Sequence, residues 1–146
     1  MKLKYITFAA AALCAAVALQ AAEKIVAGPK GGRLLESEPN KAEFFVTADR
    51  KVEITFYNAA LKPVDAGAQV VTVTAEPGSG KVKLDLEKTA TGFISKTALP
   101  AGEPYRVVVQ TRASAEAKPK NFRVDLNLEM CGECKKKEYA CTCEGH

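Results

Sequence analysis

The residues of this chain best suited to chemistry are four cysteines near its C-terminus. They form two close pairs separated by six residues: Cys131 with Cys134, and Cys141 with Cys143. Two thiolates three positions apart can reach one metal ion across a tight turn, with bonds of about 2.3 Å. An extended backbone alternates its side chains, so the second pair would point to the same side of Thr142 and complete a tetrahedral site.

The ligand type predicts which ion such a site would hold. Four soft sulfur atoms favour a thiophilic ion, Zn(II) or Cu(I), over Mg²⁺ or Ca²⁺. The lysines at 135–137 would offset the negative charge of a tetrathiolate and lower the thiol pKa values. Gly132 would allow a sharp turn between the first two cysteines. His146, the only histidine of the chain, could replace one thiolate or hydrogen-bond to one.

A pair of disulfides is the alternative chemistry for the same residues, because an oxidising compartment converts neighbouring thiols into bridges. Four cysteines allow three pairings, and those that join the first pair to the second would close the segment into a compact unit. A redox-active Cys-x-x-Cys is a third interpretation. It is disfavoured because no βαβ pattern precedes the motif and because Glu133 would raise the pKa of a neighbouring thiol.

The N-terminal residues predict export. Lys2 and Lys4 precede an uncharged, Ala-rich apolar run at 5–19, and small residues occupy 21 and 22. This layout is typical of a secretory signal peptide, and the run is too short and too weakly apolar for a membrane span. We therefore expect residues 1–22 to be a signal peptide that includes Cys14. The mature protein would be periplasmic or secreted, without membrane attachment.

The remaining chain predicts one domain of antiparallel strands followed by a tail. Apolar residues recur with period two in several runs, which is the pattern of half-buried strands. The main runs lie at 52–57, 71–75, 81–86, 105–110 and 122–128, with shorter apolar segments at 34–35, 44–46 and 93–94. The prediction is an all-β fold: a single antiparallel, immunoglobulin-like β-sandwich of about seven or eight strands at 23–129. A Cys-rich tail follows at 130–146.

Individual residues outside the tail are assigned structural roles. The Pro- and Gly-rich stretch at 76–80 predicts a hairpin turn, and Tyr105 is a candidate for the tyrosine corner of immunoglobulin-like domains. Tyr57 and Tyr139 are interpreted as packing residues. Glu43 is interpreted, together with the acids at 36 and 38, as part of a solvated face.

Charge and histidine content exclude several classes of function. The formal net charge is +4 and falls to +2 without residues 1–22, which carry two lysines and no acid. So small a charge, with both signs interspersed, does not indicate nucleic-acid binding. A single terminal histidine leaves no general base for most hydrolase or oxidoreductase mechanisms. We therefore expect a protein that is not an enzyme.

Four segments resemble the small immunoglobulin-like periplasmic copper carriers: Leu35–Pro39, Val52–Phe56, Leu99–Gly102 and Tyr105–Val107. The resemblance implies an exported sandwich in an envelope metal pathway. In that family Cu(II) is held by an N-terminal histidine with an internal histidine and aspartate. This chain has His146 at the opposite end, so that copper site is not carried over.

Two further segments resemble exported modules that occur with heavy-metal efflux adaptors of the RND type. These are Lys30-Gly31-Gly32-Arg33-Leu34, where the family has His-Gly-Gly before its first strand, and the ending Tyr139-Ala-Cys141-Thr-Cys143. Lys30 replaces the histidine, which removes a metal role from that position. The resemblance implies a metal ion as ligand and an envelope protein, such as an efflux adaptor, as partner.

Overall fold

The computed structural model describes residues 23–144, so the expected signal peptide at 1–22 and the predicted role of His146 lie outside the described residues. Ten β-strands and one 3₁₀ turn at Glu138–Ala140 make up the described chain. The strands are β1 Val26–Ala27, β2 Arg33–Leu35, β3 Lys41–Val46, β4 Val52–Tyr57, β5 Val70–Glu76, β6 Val82–Leu84, β7 Leu86–Lys88, β8 Gly92–Ser95, β9 Tyr105–Arg112 and β10 Lys120–Leu126. Within residues 23–144 no helix has the length and apolar character needed to cross a membrane.

The strands form two antiparallel sheets that face each other across one core. The larger sheet has the order β1-β2-β3-β4-β8-β7, and the smaller has the order β10-β9-β5-β6. Apolar side chains from both sheets meet between them, including the fully buried Phe44, Phe56, Val73 and Val107. The predicted all-β sandwich is confirmed, with ten strands in place of seven or eight. Its immunoglobulin-like character stays a prediction.

One reason for the larger strand count is a strand that changes sheets. The alternating run at 81–86 predicts a single strand, but the chain leaves the smaller sheet after Leu84 and enters the larger sheet at Leu86. The backbone carbonyl of Asp85 accepts a hydrogen bond from the N–H of Lys96 at this crossing. Alternation shows which residues face inward, but it carries no information on which sheet they join.

Two turn predictions are confirmed. The N–H of Gly80 donates to the carbonyl of Pro77 at 3.0 Å, and the flanking strands β5 and β6 pair antiparallel. The hydroxyl of Tyr105 donates to the carbonyl of Pro100 at 2.7 Å, which is the backbone contact of a tyrosine corner.

Glu43 is not on a solvated face, and that prediction is wrong. Its side chain is fully buried beneath the loop between β1 and β2. One carboxylate oxygen accepts the backbone N–H of Gly32 at 2.8 Å, and both oxygens accept that of Lys30 at 3.0 and 3.2 Å. The packing is so close that a Cβ on Gly28 would lie 2.2 Å from the Glu43 carboxyl carbon. Glu43 thus fastens the N-terminal loop to the outer face of β3.

The Cys-rich segment packs against the sandwich. Beyond β10 the chain turns back on itself, and the N–H groups of Glu138 and Tyr139 donate to the carbonyls of Glu129 and Asn127, at 2.9 and 3.2 Å. Tyr139 and Ala140 belong to the same buried cluster as the sandwich core. The segment therefore packs against the sandwich beyond the end of β10, and the interpretation of Tyr139 as a packing residue is confirmed.

Candidate metal centre

The first cysteine pair lies on a tight backbone turn closed at both ends. The N–H of Cys131 donates to the carbonyl of Lys136 at 2.8 Å, and the N–H of Lys135 donates to the carbonyl of Cys131 at 3.2 Å. Met130 and Lys137 form an antiparallel bridge just outside the turn. These bonds bring the side chains of Cys131 and Cys134 together on one side of the turn.

The strained position of this turn is Lys135, not Gly132. Lys135 has a φ of 58°, in the left-handed region, whereas Gly132 is absent from the residues with positive φ. Gly132 does not adopt the left-handed conformation, and its predicted role in allowing a sharp turn stays a prediction. The Lys135 ammonium donates to the carbonyl of Gly132 at 2.6 Å, which spans the turn and helps to offset the conformational cost.

The second pair follows the 3₁₀ turn. The N–H of Cys141 donates to the carbonyl of Glu138 at 3.1 Å, which ends the turn, and the backbone at Cys141 is extended, with φ −65° and ψ 131°. Thr142 is exposed while its two neighbours are buried or half-buried. Cys141 and Cys143 therefore point to the same side of the chain, as the extended geometry predicts.

All four sulfur atoms converge. They lie within 4.8 Å of one another. The Cys131–Cys141, Cys134–Cys141 and Cys131–Cys143 Sγ separations are 3.3, 3.6 and 3.8 Å. Bonds of about 2.3 Å to a tetrahedral ion would place sulfur ligands about 3.8 Å apart. A disulfide requires about 2.05 Å, and the four cysteines are free thiols.

Burial divides the four cysteines into two kinds. Cys131 and Cys141 are buried, with 4% and 2% of their surface exposed, whereas Cys134 and Cys143 are half-buried. The site thus has an inner side against the sandwich and an outer side open to solvent. Glu133 and Glu144 are exposed.

Backbone N–H groups prepare Cys134 to ionise. Hydrogen bonds from the N–H groups of Lys136 and Thr142 lower the pKa of the Cys134 thiol from 9.0 to about 6. The neighbouring thiols of Cys141 and Cys131 add smaller hydrogen bonds in the same direction. Lys136 therefore lowers the pKa of Cys134 through its backbone N–H. The sequence predicted that the charge of its side chain would have this effect.

The thiols of Cys141 and Cys143 hold their protons more strongly. At Cys141 the N–H of Cys143 lowers the pKa, but burial and the sulfurs of Cys131 and Cys134 outweigh it, so the net pKa is raised. The pKa of Cys143 is raised by its hydrogen bond with the Cys141 sulfur and then by burial. The metal-free cluster thus has one readily formed thiolate, at Cys134, beside the thiols of Cys141 and Cys143, which keep their protons to higher pH. A metal ion would have to displace their protons.

Tyr139 anchors the site to the larger sheet. Its hydroxyl oxygen accepts the backbone N–H of Val46 at 3.0 Å, and its ring packs edge-on against Phe44 at 5.5 Å between centroids. Burial raises the pKa of the Tyr139 phenol. Val46 lies at the end of β3, beyond the residues paired with β2, so its N–H would otherwise lack a strand partner on that side. The sequence predicted the packing of Tyr139 but not its hydrogen bond to Val46.

Comparison with protein-family models, curated proteins and solved structures finds no match for this chain.

Proposed function

We propose that this chain is an exported, non-catalytic protein that binds one Zn(II) or Cu(I) ion through Cys131, Cys134, Cys141 and Cys143. One observation carries the proposal: four cysteine sulfurs converge within 4.8 Å on a turn that is packed against the sandwich. Sulfur ligands select thiophilic ions. The spacing of these sulfurs is close to that of a tetrahedral tetrathiolate.

The ligand set supports binding in preference to catalysis. Catalytic zinc sites keep a coordination position open for water or substrate, whereas four thiolates fill a tetrahedral shell. The only histidine of the chain is residue 146, which lies outside the described residues, and most nucleophilic mechanisms need such a base beside the nucleophile. The function proposed is therefore to hold the ion.

The half-buried sulfurs support a role in handling the ion in the cell envelope. Cys134 and Cys143 lie on the solvent side, where a partner could reach the ion without opening the sandwich. The signal-peptide pattern at 1–22 supports export to the periplasm or beyond. The partner that the sequence resemblance suggests is an envelope protein such as an efflux adaptor.

The metal content and thiol count of the exported protein test this proposal. The protein would be isolated from the periplasm, its free thiols counted after denaturation, and its metal measured by mass spectrometry. Four thiols and about one equivalent of Zn or Cu per chain are expected, with metal lost in Cys134→Ser. Thr142→Ala is the matched control, because Thr142 is exposed between two cysteines and its backbone N–H is retained.

The alternative is a structural or interaction module whose tail is closed by two disulfides. It is favoured by the short separations between the first and second pairs, 3.3–3.8 Å, which small movements would convert to bonds in an oxidising compartment. A native mass lower by four hydrogen atoms, with no bound metal and no free thiol, would establish this alternative and refute metal binding.

A further inference from the structure

The four cysteines of the proposed metal centre differ in how far solvent reaches them. Cys134 and Cys143, the outer cysteines, are half-buried, whereas Cys131 and Cys141, the inner cysteines, are buried. Oxidation of a sulfur depends on its exposure, so an oxidant dissolved in water meets an outer sulfur before an inner one. This asymmetry decides where oxidation of the site begins.

Each outer sulfur has an inner sulfur beside it. The Sγ atoms of Cys134 and Cys141 are 3.6 Å apart, and those of Cys143 and Cys131 are 3.8 Å apart. These contacts join each outer cysteine to a different inner cysteine, so the four residues form two separate pairs. A disulfide bond of about 2.05 Å would require each pair to close by less than about 2 Å.

The other two pairings are disfavoured for different physical reasons. A bridge within each sequence pair would join Cys141 to Cys143 across one residue, which strains the ring. A bridge between Cys131 and Cys141 has the shortest separation, 3.3 Å, but an oxidant would have to reach a buried sulfur first. Exposure and distance together therefore favour the pairs that join an outer sulfur to an inner one.

We propose that oxidation by a peroxide converts the four-cysteine site into two nested disulfides, Cys134–Cys141 inside Cys131–Cys143, and thereby releases the bound ion. The inference rests on the metal binding proposed above and adds its regulation. The site holds its ion only while the four sulfurs are reduced, and a dithiol reductant restores it.

Each pair reacts with one peroxide molecule. The sulfur of Cys134 attacks hydrogen peroxide: an S–O bond forms, the O–O bond breaks, and the hydroxide that leaves takes up a proton to become water. The sulfur of Cys141 then attacks the sulfenic acid: the S–S bond forms, the S–O bond breaks, and a second water leaves. The pair has lost two electrons, and the peroxide has been reduced to two waters. Cys143 and Cys131 react in the same way.

Disulfide formation removes the groups that hold the ion. Thiolates are the sulfur ligands of thiophilic ions, and a disulfide sulfur carries no negative charge. Each bridge withdraws two of the four ligands, so the two bridges together leave none. The nested bridges also link the two halves of the segment covalently, so we expect it to stay closed after the ion has left.

Oxidation of the zinc-loaded protein tests the proposal. The reduced, exported protein is loaded with one equivalent of Zn(II), treated with hydrogen peroxide, and followed with a zinc-sensitive dye. We expect release of the zinc, a mass lower by four hydrogen atoms, and recovery of zinc binding after treatment with dithiothreitol. After digestion with trypsin and Glu-C, tandem mass spectrometry breaks the chain at Thr142 and should find the nested pairing.

Two double variants separate the effect of exposure from that of distance, and each keeps two cysteines. Cys134→Ser with Cys141→Ser leaves an outer and an inner sulfur 3.8 Å apart. Cys134→Ser with Cys143→Ser leaves two inner sulfurs 3.3 Å apart. Peroxide should close the first pair about tenfold faster than the second, although the second pair is closer. An equal or faster rate for the two inner sulfurs would overturn the proposal.

Met130→Leu is the matched control, because Met130 is 55% exposed, directly precedes Cys131 and carries a thioether that also consumes peroxide. Zinc release and disulfide pairing should be the same in this variant as in the unsubstituted chain. Should a double variant fail to fold, the disulfide pairing of the unsubstituted chain still decides.

The outcomes distinguish this inference from the proposed function. A reduced protein that takes up no zinc would refute both. A protein that takes up zinc but keeps it in peroxide would overturn this inference alone. So would a different disulfide pairing, or zinc loss that dithiothreitol does not reverse because sulfinic acids have formed.

Discussion

At the scale of single residues, the metal centre depends on backbone geometry more than on side-chain charge. The N–H groups of Lys136 and Thr142 lower the pKa of Cys134, and Lys136 directly follows Lys135, which adopts a left-handed conformation. A residue with a side chain pays about 1–2 kcal/mol for that conformation. The turn therefore contains a small unfavourable conformational energy next to Cys134, the cysteine with the lowered pKa.

Replacing Lys135 by glycine should release that cost. We expect Lys135→Gly to raise the free energy of unfolding by about 0.5–1 kcal/mol, measured by urea denaturation of the metal-free protein. Lys136→Gly is the matched control, since position 136 is not among the residues with positive φ and glycine there should be destabilising by a similar amount. Equal effects of the two substitutions would contradict the assignment.

Cys134 should be the first thiol to react in the reduced, metal-free protein. Its pKa is lowered to about 6, so the thiolate forms as pH rises through that value, while the thiols of Cys141 and Cys143 remain protonated to higher pH. Iodoacetamide labelling from pH 5 to 9, followed by peptide mass mapping, should modify Cys134 first. Uniform labelling of the four cysteines at pH 7 would be inconsistent with this ordering.

At the scale of elements, two contacts hold peripheral segments onto the sandwich. The tail is fixed by Tyr139 to the end of β3, and the N-terminal loop is fixed by Glu43 to the middle of the same strand. Both contacts satisfy backbone N–H groups that β-sheet pairing leaves open. Loss of either should therefore cost more than loss of a surface contact.

Tyr139→Phe should destabilise the protein by about 1–3 kcal/mol, because the buried N–H of Val46 loses its acceptor while the ring contact with Phe44 is kept. Tyr105→Phe is the matched comparison. Its partner, the Pro100 carbonyl, also accepts a hydrogen bond from Arg50 at 2.8 Å and stays satisfied. Urea denaturation should show the larger loss for Tyr139→Phe, and the reverse order would refute the anchoring role.

Glu43→Gln should loosen the loop between β1 and β2, since one of the oxygens that accept the N–H groups of Lys30 and Gly32 becomes an amide donor. The expected loss of unfolding free energy is about 1–3 kcal/mol. Glu53→Gln removes a surface ion pair with Lys30 and should cost about 1 kcal/mol or less. Hydrogen exchange at Lys30 and Gly32 should accelerate only in Glu43→Gln.

The sequence predicted the strands well, because their alternation is a local property. It missed the burial of Glu43, since only the pairing of distant segments shows that a loop covers that residue. It also missed the change of sheet at Asp85, since alternation continues through the crossing. The convergence of the four cysteines was predictable from their spacing. The anchoring role of Tyr139 was not, because Val46 and Phe44 lie far from it in the chain.

At the scale of the whole molecule, the cysteine site and the sandwich form one structure. Cys131 and Cys141 are buried together with Tyr139 and Ala140, and the last two belong to the main core. An ion that binds the folded site and not the unfolded chain therefore stabilises the entire sandwich. The cluster is thus part of the fold as well as a ligand site.

Removal of the metal should lower the melting temperature of the whole domain in a single transition. A ligand at 100 times its dissociation constant adds about 2.7 kcal/mol to the free energy of unfolding, so the loss should be readily measured. Calorimetry before and after chelation under reducing conditions provides the measurement, with Zn(II) added back as the control. If chelation leaves the transition unchanged, the site contributes nothing to the fold.

The hydrogen bond between Val46 and Tyr139 joins residues 93 positions apart. A chain that emerges from a ribosome or a secretion channel can pair β3 with β4 long before Tyr139 has emerged. The backbone N–H of Val46 therefore lacks its acceptor until nearly all of the domain has emerged. Products that stop short of residue 139 would expose the edge of Phe44 and an unpaired backbone donor. Proteases cleave segments that are open, so chains that stop short of residue 139 should be degraded faster than the complete domain.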